Sequence, residues 1–224
     1  MRQRPWSRLT HGNGTATFVS LAVILALGAA SLVALSGAST ARSRASGARR
    51  SAQAPSPQPK CGDTITTDTT LHHNLHNCPN NGIIIGADNV TLDLNYHTID
   101  GDGKFFAPGC NPNKELCDVG VANLGYDGLT VVNGSLRQFF AGTDIERERH
   151  ARVLGISASG NHLFGIGFYR AARSLVRNSS GNGSITPDGG TGIYVIASHH
   201  VRVRGSSFRH NADRGIGSSI PPTT

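Results

Sequence analysis

The chain has 224 residues, of which 38% are hydrophobic and only 16% charged, with 28 glycines and a single methionine. Its formal charge of +7 lies in the leader: residues 1–60 hold eight Lys or Arg and no acid, so the rest carries 13 basic against 14 acidic groups. That near-neutral balance excludes a nucleic-acid partner recruited by bulk charge, while leaving enough chain after the leader for one domain with its own core.

Arg2, Arg4 and Arg8 precede an uncharged run over 18–35, which leads into Gly37-Ala38-Ser39-Thr40-Ala41, small residues suited to signal peptidase. Residues 1–41 therefore read as an export signal, either cut after Ala41 or retained as an N-terminal membrane anchor, the run being just long enough to span a bilayer. Both outcomes place the remainder outside the cytoplasm, extracellular or at the cell surface. Residues 42–60 are mostly Ala, Ser, Pro, Arg and Gln, too poor in apolar groups to fold, and read as a linker.

From 61 to 217 the sequence repeats in units of roughly twenty to thirty residues, a period that signals a stacked solenoid. Short β-rich runs recur, as in Asn89-Val90-Thr91-Leu92-Asp93-Leu94, Gly128-Leu129-Thr130-Val131-Val132-Asn133 and His200-Val201-Arg202-Val203-Arg204. Val131 to Val153 is 22 residues, Arg149 to Arg170 is 21 and Val176 to Val203 is 27, while Val90 to Leu129 is 39 because a Cys-flanked insertion intervenes. A second phrase punctuates the units at Gly82-Ile83-Ile84-Ile85, Val119-Gly120-Val121, Phe164-Gly165-Ile166, Gly192-Ile193-Tyr194 and Gly215-Ile216-Gly217. The expected fold is all-β: a right-handed parallel β-helix of five to six coils, Gly and Asn supplying left-handed backbone between strands. Val90, Leu92 and Leu94 should point into the core, with Asp93, Arg152, Arg202 and Arg204 alternating outward. The tail, 218–224, offers no capping element and reads as the end of a shortened relative; the expected state is a monomer.

All four cysteines lie in the exported part, where an even count favours disulfides. Four Cys allow three pairings, of which sequence neighbours are the simplest: Cys61 with Cys78 and Cys110 with Cys117. The first would close a loop of about 18 residues, contribute roughly 3 kcal/mol and staple the N-terminal end of the stack.

Asp88, Asp93, Asp100 and Asp102 form the best acidic group, suited to Ca²⁺ or to acid/base work on a sugar, or else to opening β-turns. His72, His73 and His76 present three imidazoles within five residues, a set for Cu²⁺ or Zn²⁺ if a helix placed His72 and His76 on one face; a strand would separate them. The segment 143–150 is the most charged and reads as a solvent-exposed turn with local ion pairs. It also offers, with Arg137, Arg152 and Arg173, a shallow groove for an anionic glycan. Phe139, Phe140, Phe164, Phe168, Tyr169 and Tyr194 are expected as core ladders, sugar stacking being the alternative. No GxSxG, Walker or HExxH pattern occurs.

The run from Cys61-Gly62-Asp63-Thr64-Ile65-Thr66 through Gly82–Leu94 to His97-Thr98-Ile99-Asp100-Gly101-Asp102-Gly103 resembles the opening of secreted bacterial β-helix repeat proteins of the pectate lyase-like superfamily. That group includes copper-enzyme maturation proteins of the NosD type, polysaccharide lyases and C5-epimerases. The resemblance implies the fold; in pectate lyases Thr98–Gly103 would correspond to a structural turn, with calcium-binding acids and an Arg base on later coils. No such constellation is evident, Asp100, Asp102 and Arg137 being the nearest approach. The implied function is an exported scaffold that binds polysaccharide or a surface partner without catalysis. The alternatives are a lyase or epimerase on uronic-acid glycans, aided by Ca²⁺, and a NosD-like metal-associated protein.

Overall fold

The computed structural model describes residues 58–104, 115–186 and 190–219. Sixteen strands and no helix are found among them: β1 (Asp63–Ile65), β2 (Thr69–Thr70), β3 (Leu75–Cys78), β4 (Ile83–Ile85), β5 (Thr91–Asp93), β6 (Thr98–Gly101), β7 (Val119–Leu124), β8 (Thr130–Arg137), β9 (Ala141–Glu146), β10 (Arg152–Ser159), β11 (Phe164–Tyr169), β12 (Leu175–Arg177), β13 (Ser180–Asn182), β14 (Thr191–Ile196), β15 (Arg202–Arg204) and β16 (Arg214–Ser219). Every pairing between them is parallel. One sheet runs β1-β4-β7-β9-β11-β14-β16, the other β2-β5-β8-β10-β12-β15 with β3, β6 and β13 on its flank.

This is a parallel β-solenoid of about six turns, whose coils begin at β1, β4, β7, β9, β11 and β14. Stacking follows from repetition, because equivalent residues of successive coils face each other one rung apart and the inward alternate of each strand joins a common core. Leu92, Val131, Val153, Val176 and Val203 form one such column, in register from coil 2 to coil 6. Val90, Leu92 and Leu94 are buried as expected, alongside Ile83, Ile99, Leu136, Phe139, Ile156, Ile166 and Phe168. The spacing of 21 between Arg149 and Arg170 is corrected to 23, since Arg149 stands opposite Ala172.

Two devices let the coils close. Gly120, Gly142, Gly165 and Gly192 stack where the chain enters the first sheet, and a Cβ on any of them would lie 2.4 to 2.8 Å from the carbonyl oxygen of the next glycine above. No other side chain fits that approach. The second device is the bend in the other sheet, made by single left-handed residues: Asn133 (φ 56°), Gly155 (φ 64°), Asn178 (φ 51°) and Gly205 (φ 57°). Here Asn alternates with Gly, and the Asn178 amide oxygen lies 2.7 Å from where a Gly205 Cβ would stand. The alternation gives each asparagine the space its neighbour lacks.

Cys61 and Cys78 are bridged, with Cα atoms 5.3 Å apart, tying the first coil to its own end. Cys117 is also disulfide-bonded; Cys110 lies outside the described residues, as do the leader and linker through residue 57, and the tail from residue 220.

Candidate functional site

Carboxylates in coils 1 to 3 are spent largely on the backbone. Asp68 Oδ1 accepts the Thr91 N–H (2.8 Å), Asp88 Oδ1 that of Asp127 (2.8 Å), Asp127 Oδ1 that of Arg149 (2.8 Å) and Asp102 Oδ1 that of Lys104 (2.9 Å). Asp93 Oδ1 takes the Asn95 N–H (2.8 Å) and the Asn133 side-chain amide (3.2 Å). The turn-forming reading has direct hydrogen-bond support at Asp93 and Asp102, each of which accepts the N–H two residues on, whereas Asp88 bonds across coils and Asp100 lies within strand β6 rather than in a turn. Among the described residues no group of three His, Cys, Asp or Glu is placed to hold a metal ion.

The histidine cluster is split. His72 and His73 lie in a bend clasped by Gln58, which accepts the His72 N–H and donates to the His73 carbonyl, whereas His76 is in β3. A strand replaces the expected helical face, so the three imidazoles do not converge. His76 instead joins two other candidates on successive rungs. Arg137 holds Asp100 through two hydrogen bonds of 3.0 Å, and His76 Nδ1 lies 3.8 Å from Asp100 Oδ2. Asp100 is nearly buried while Arg137 and His76 are half-exposed. The fork on Asp100 occupies the Arg137 face that a base would use, so the row is first an ion-paired staple.

The expectation of a solvent-exposed turn with local ion pairs over 143–150 holds at its end, where Arg147, Arg149 and His150 are exposed and Arg147 lies 3.9 Å from Glu146, and is overturned for 143–146 and Glu148. Thr143 and Glu148 are fully buried, and Ala141–Glu146 is β9, in the middle of the first sheet. Inward Thr143 and Ile145 alternate with outward Asp144 and Glu146, a strand period that the charges disguise. Burial, and secondarily the Glu146 charge, push the Asp144 carboxyl up to about 7. Burial likewise pushes Glu148 up to about 7, although the Gly128 and Ala151 N–H groups and the Ser174 hydroxyl favour its charged form. The aromatic expectation holds for Phe139 and Phe168, which fill the core. Phe164 and Tyr194 instead join a separate apolar cluster with Val119, Ala122 and Ala141, their rings 6.0 Å apart, and Tyr169 sits beneath the Arg170 guanidinium at 5.1 Å.

Arg152 and Arg173, singled out from sequence, do come together, but with partners the sequence reading missed. Coils 4 to 6 carry on the outside of the second sheet a shallow depression of about 570 Å³ lined by His150, Arg152, Arg173, Ser174, Leu175, Arg177, His200, Arg202 and Arg204. Register explains the gathering: Arg152, Leu175 and Arg202 share one outward column, and Leu154, Arg177 and Arg204 the next. His150 (φ 72°), Arg173 (φ 56°) and His200 (φ 57°) hold the left-handed corner beside them. No carboxylate lines this surface, and none of its arginines joins an ion pair among the described residues. Arg137, on coil 3 and bound to Asp100, is not part of it. The signal was available: residues 61–138 hold nine acids and three bases, residues 139–224 five acids and ten bases, and the near-zero total hid two opposite halves.

No protein-family model, curated protein or solved structure matches this chain.

Proposed function

We propose that the protein is an exported solenoid scaffold that binds an anionic polysaccharide of its surroundings along the arginine rungs of coils 4 to 6, without transforming it. The observation that supports this reading is the set of cations without ion-pair partners among the described residues, repeating at the rung spacing of a rigid sheet. Such a surface presents charge at an interval of about 4.8 Å on a backbone that needs no reordering to meet a linear polyanion. Membership of the pectate lyase-like superfamily and secretion belong to the same proposal. Titration calorimetry with polygalacturonate should show binding that weakens steeply as salt rises from about 0.05 to about 0.5 M, and that falls more than about ten-fold in Arg177→Ala/Arg202→Ala. Binding unchanged by that pair of substitutions would refute the site.

A second reading, a uronate lyase or epimerase, has in its favour the meeting of His76, Asp100 and Arg137 on adjacent rungs. It requires that Arg137 leave Asp100 when substrate arrives. Formation of unsaturated uronate, abolished by Arg137→Ala, would establish it over the scaffold.

A further inference from the structure

The arginine columns do not stop at coil 4; they continue downward into acids. In chain register the first outward column of the second sheet reads Thr91, Thr130, Arg152, Leu175, Arg202, with Asp68 bonded to Thr91 from the coil below. The second reads Thr70, Asp93, Val132, Leu154, Arg177, Arg204. The corner column pairs Asp127 of coil 3 with Arg149 of coil 4. One face therefore runs from acidic at coil 1 to basic at coil 6, with Val132 and Leu154 at its centre, both half-buried.

We propose that this face is self-complementary and binds a second copy of the chain in an antiparallel, two-fold pair. Laying two such faces together with their axes opposed sets coil 1 against coil 6, coil 2 against coil 5 and coil 3 against coil 4. Asp68 then meets Arg202 of the second copy, Asp93 meets Arg177, and Val132 meets Leu154, each contact occurring twice as an isologous interface demands. The parallel arrangement brings arginine onto arginine and aspartate onto aspartate, so charge selects one orientation. Six rungs about 4.8 Å apart, crossed by about 20 Å of strand, offer roughly 600 Å² per copy, the scale of a weak, charge-steered association. Pairing covers the same arginines that the polymer reading uses, yet it requires no polymer and stands or falls separately.

Sedimentation equilibrium of the purified full-length chain tests it. The wild type should pair at low ionic strength and separate at about 0.5 M salt. Arg177→Glu/Arg202→Glu sets acids against Asp93 and Asp68 of the second copy and should remain monomeric. Thr70→Lys/Thr91→Lys adds cations to the acidic end while keeping the aspartates that cap the backbone, and should weaken self-pairing more than about ten-fold. Mixed in equal amounts, the two variants regain one native set of Asp68–Arg202 and Asp93–Arg177 contacts and should associate where the glutamate variant alone does not. Circular dichroism at both compositions verifies folding. A wild type that is monomeric at low salt, or two variants that ignore each other, overturns the proposal; loss of polygalacturonate binding alone leaves it standing.

Discussion

Coils 1 to 3 and coils 4 to 6 have the same cross-section and opposite surfaces, and they differ in who caps the backbone. In the lower coils aspartates accept the N–H groups that strands leave unpaired at their corners, through Asp68, Asp88, Asp93, Asp102 and Asp127. In the upper coils hydroxyls and amides do most of that work, Glu148 adding a carboxylate for Gly128 at the junction. Ser179 accepts from Ile156, Ser198 from Ala171, Ser206 from Ser179 and Asn211 from Ser184. The negative charge below is thus tied to architecture, whereas the positive charge above is surplus to it. Charge that the fold does not need is the better guide to function.

The contrast is sharpest at the disulfide. Replacing Cys61 and Cys78 by Ser removes a cross-link spanning 17 residues in the acidic half and should cost about 3 kcal/mol, read as a lower midpoint in urea. No substitution confined to the arginine columns should approach that. Next come single charges. Asp93→Ala strips the Asn95 N–H and the Asn133 amide of their acceptor and should destabilise by about 1 to 2 kcal/mol. Arg177→Ala, exposed on the upper face, should change stability by less than about 0.5 kcal/mol while weakening polymer binding. Equal losses of stability from the two would dissolve the distinction between capping and surplus charge.

Acidity offers a third, smaller probe at the junction. Asp144 and Glu148 have folded-state carboxyls raised to about 7, above their values of about 4 in the unfolded chain. Between these limits the unfolded state holds fewer protons, so their contribution to stability falls as pH climbs from about 4 to about 7 and is level beyond. Glu148→Gln keeps an acceptor for Gly128 and should flatten that decline, giving a smaller difference in melting temperature between pH 5 and pH 8 than wild type. An unchanged profile would show that Glu148 ionises without penalty.

The fold was legible because its determinants are local and repeated: inward aliphatics at Leu92, Val131, Val153, Val176 and Val203, and a Gly before each entry into the first sheet. Two errors share one cause. Ala141-Gly142-Thr143 belongs to the glycine series, but the charges that follow it disguise a strand as a turn. Likewise Arg149-His150-Ala151-Arg152 and Arg170-Ala171-Ala172-Arg173 look alike in letters while the buried valines set a register two residues away. Outward residues are free to vary, so aligning on them misplaces the rungs. The arginine surface escaped notice for a further reason, since its members come from three separate segments, 150–152, 173–177 and 200–204, that only stacking makes neighbours. Summing charge over the whole domain then erased the gradient.

The corner between Gly101 and Val119 carries 17 residues, yet β4 still pairs with β7, and β6 with β8. At the equivalent corner 3 residues join β8 to β9, 4 join β10 to β11 and 8 join β13 to β14. That position accepts different lengths while the rungs on either side keep their grip, provided that Leu116 and Asp118, which hold Asn81 and Phe140, stay in place. Descendants of such a chain can acquire new recognition loops there, and an engineer can graft a foreign epitope at the same spot without redesigning the stack.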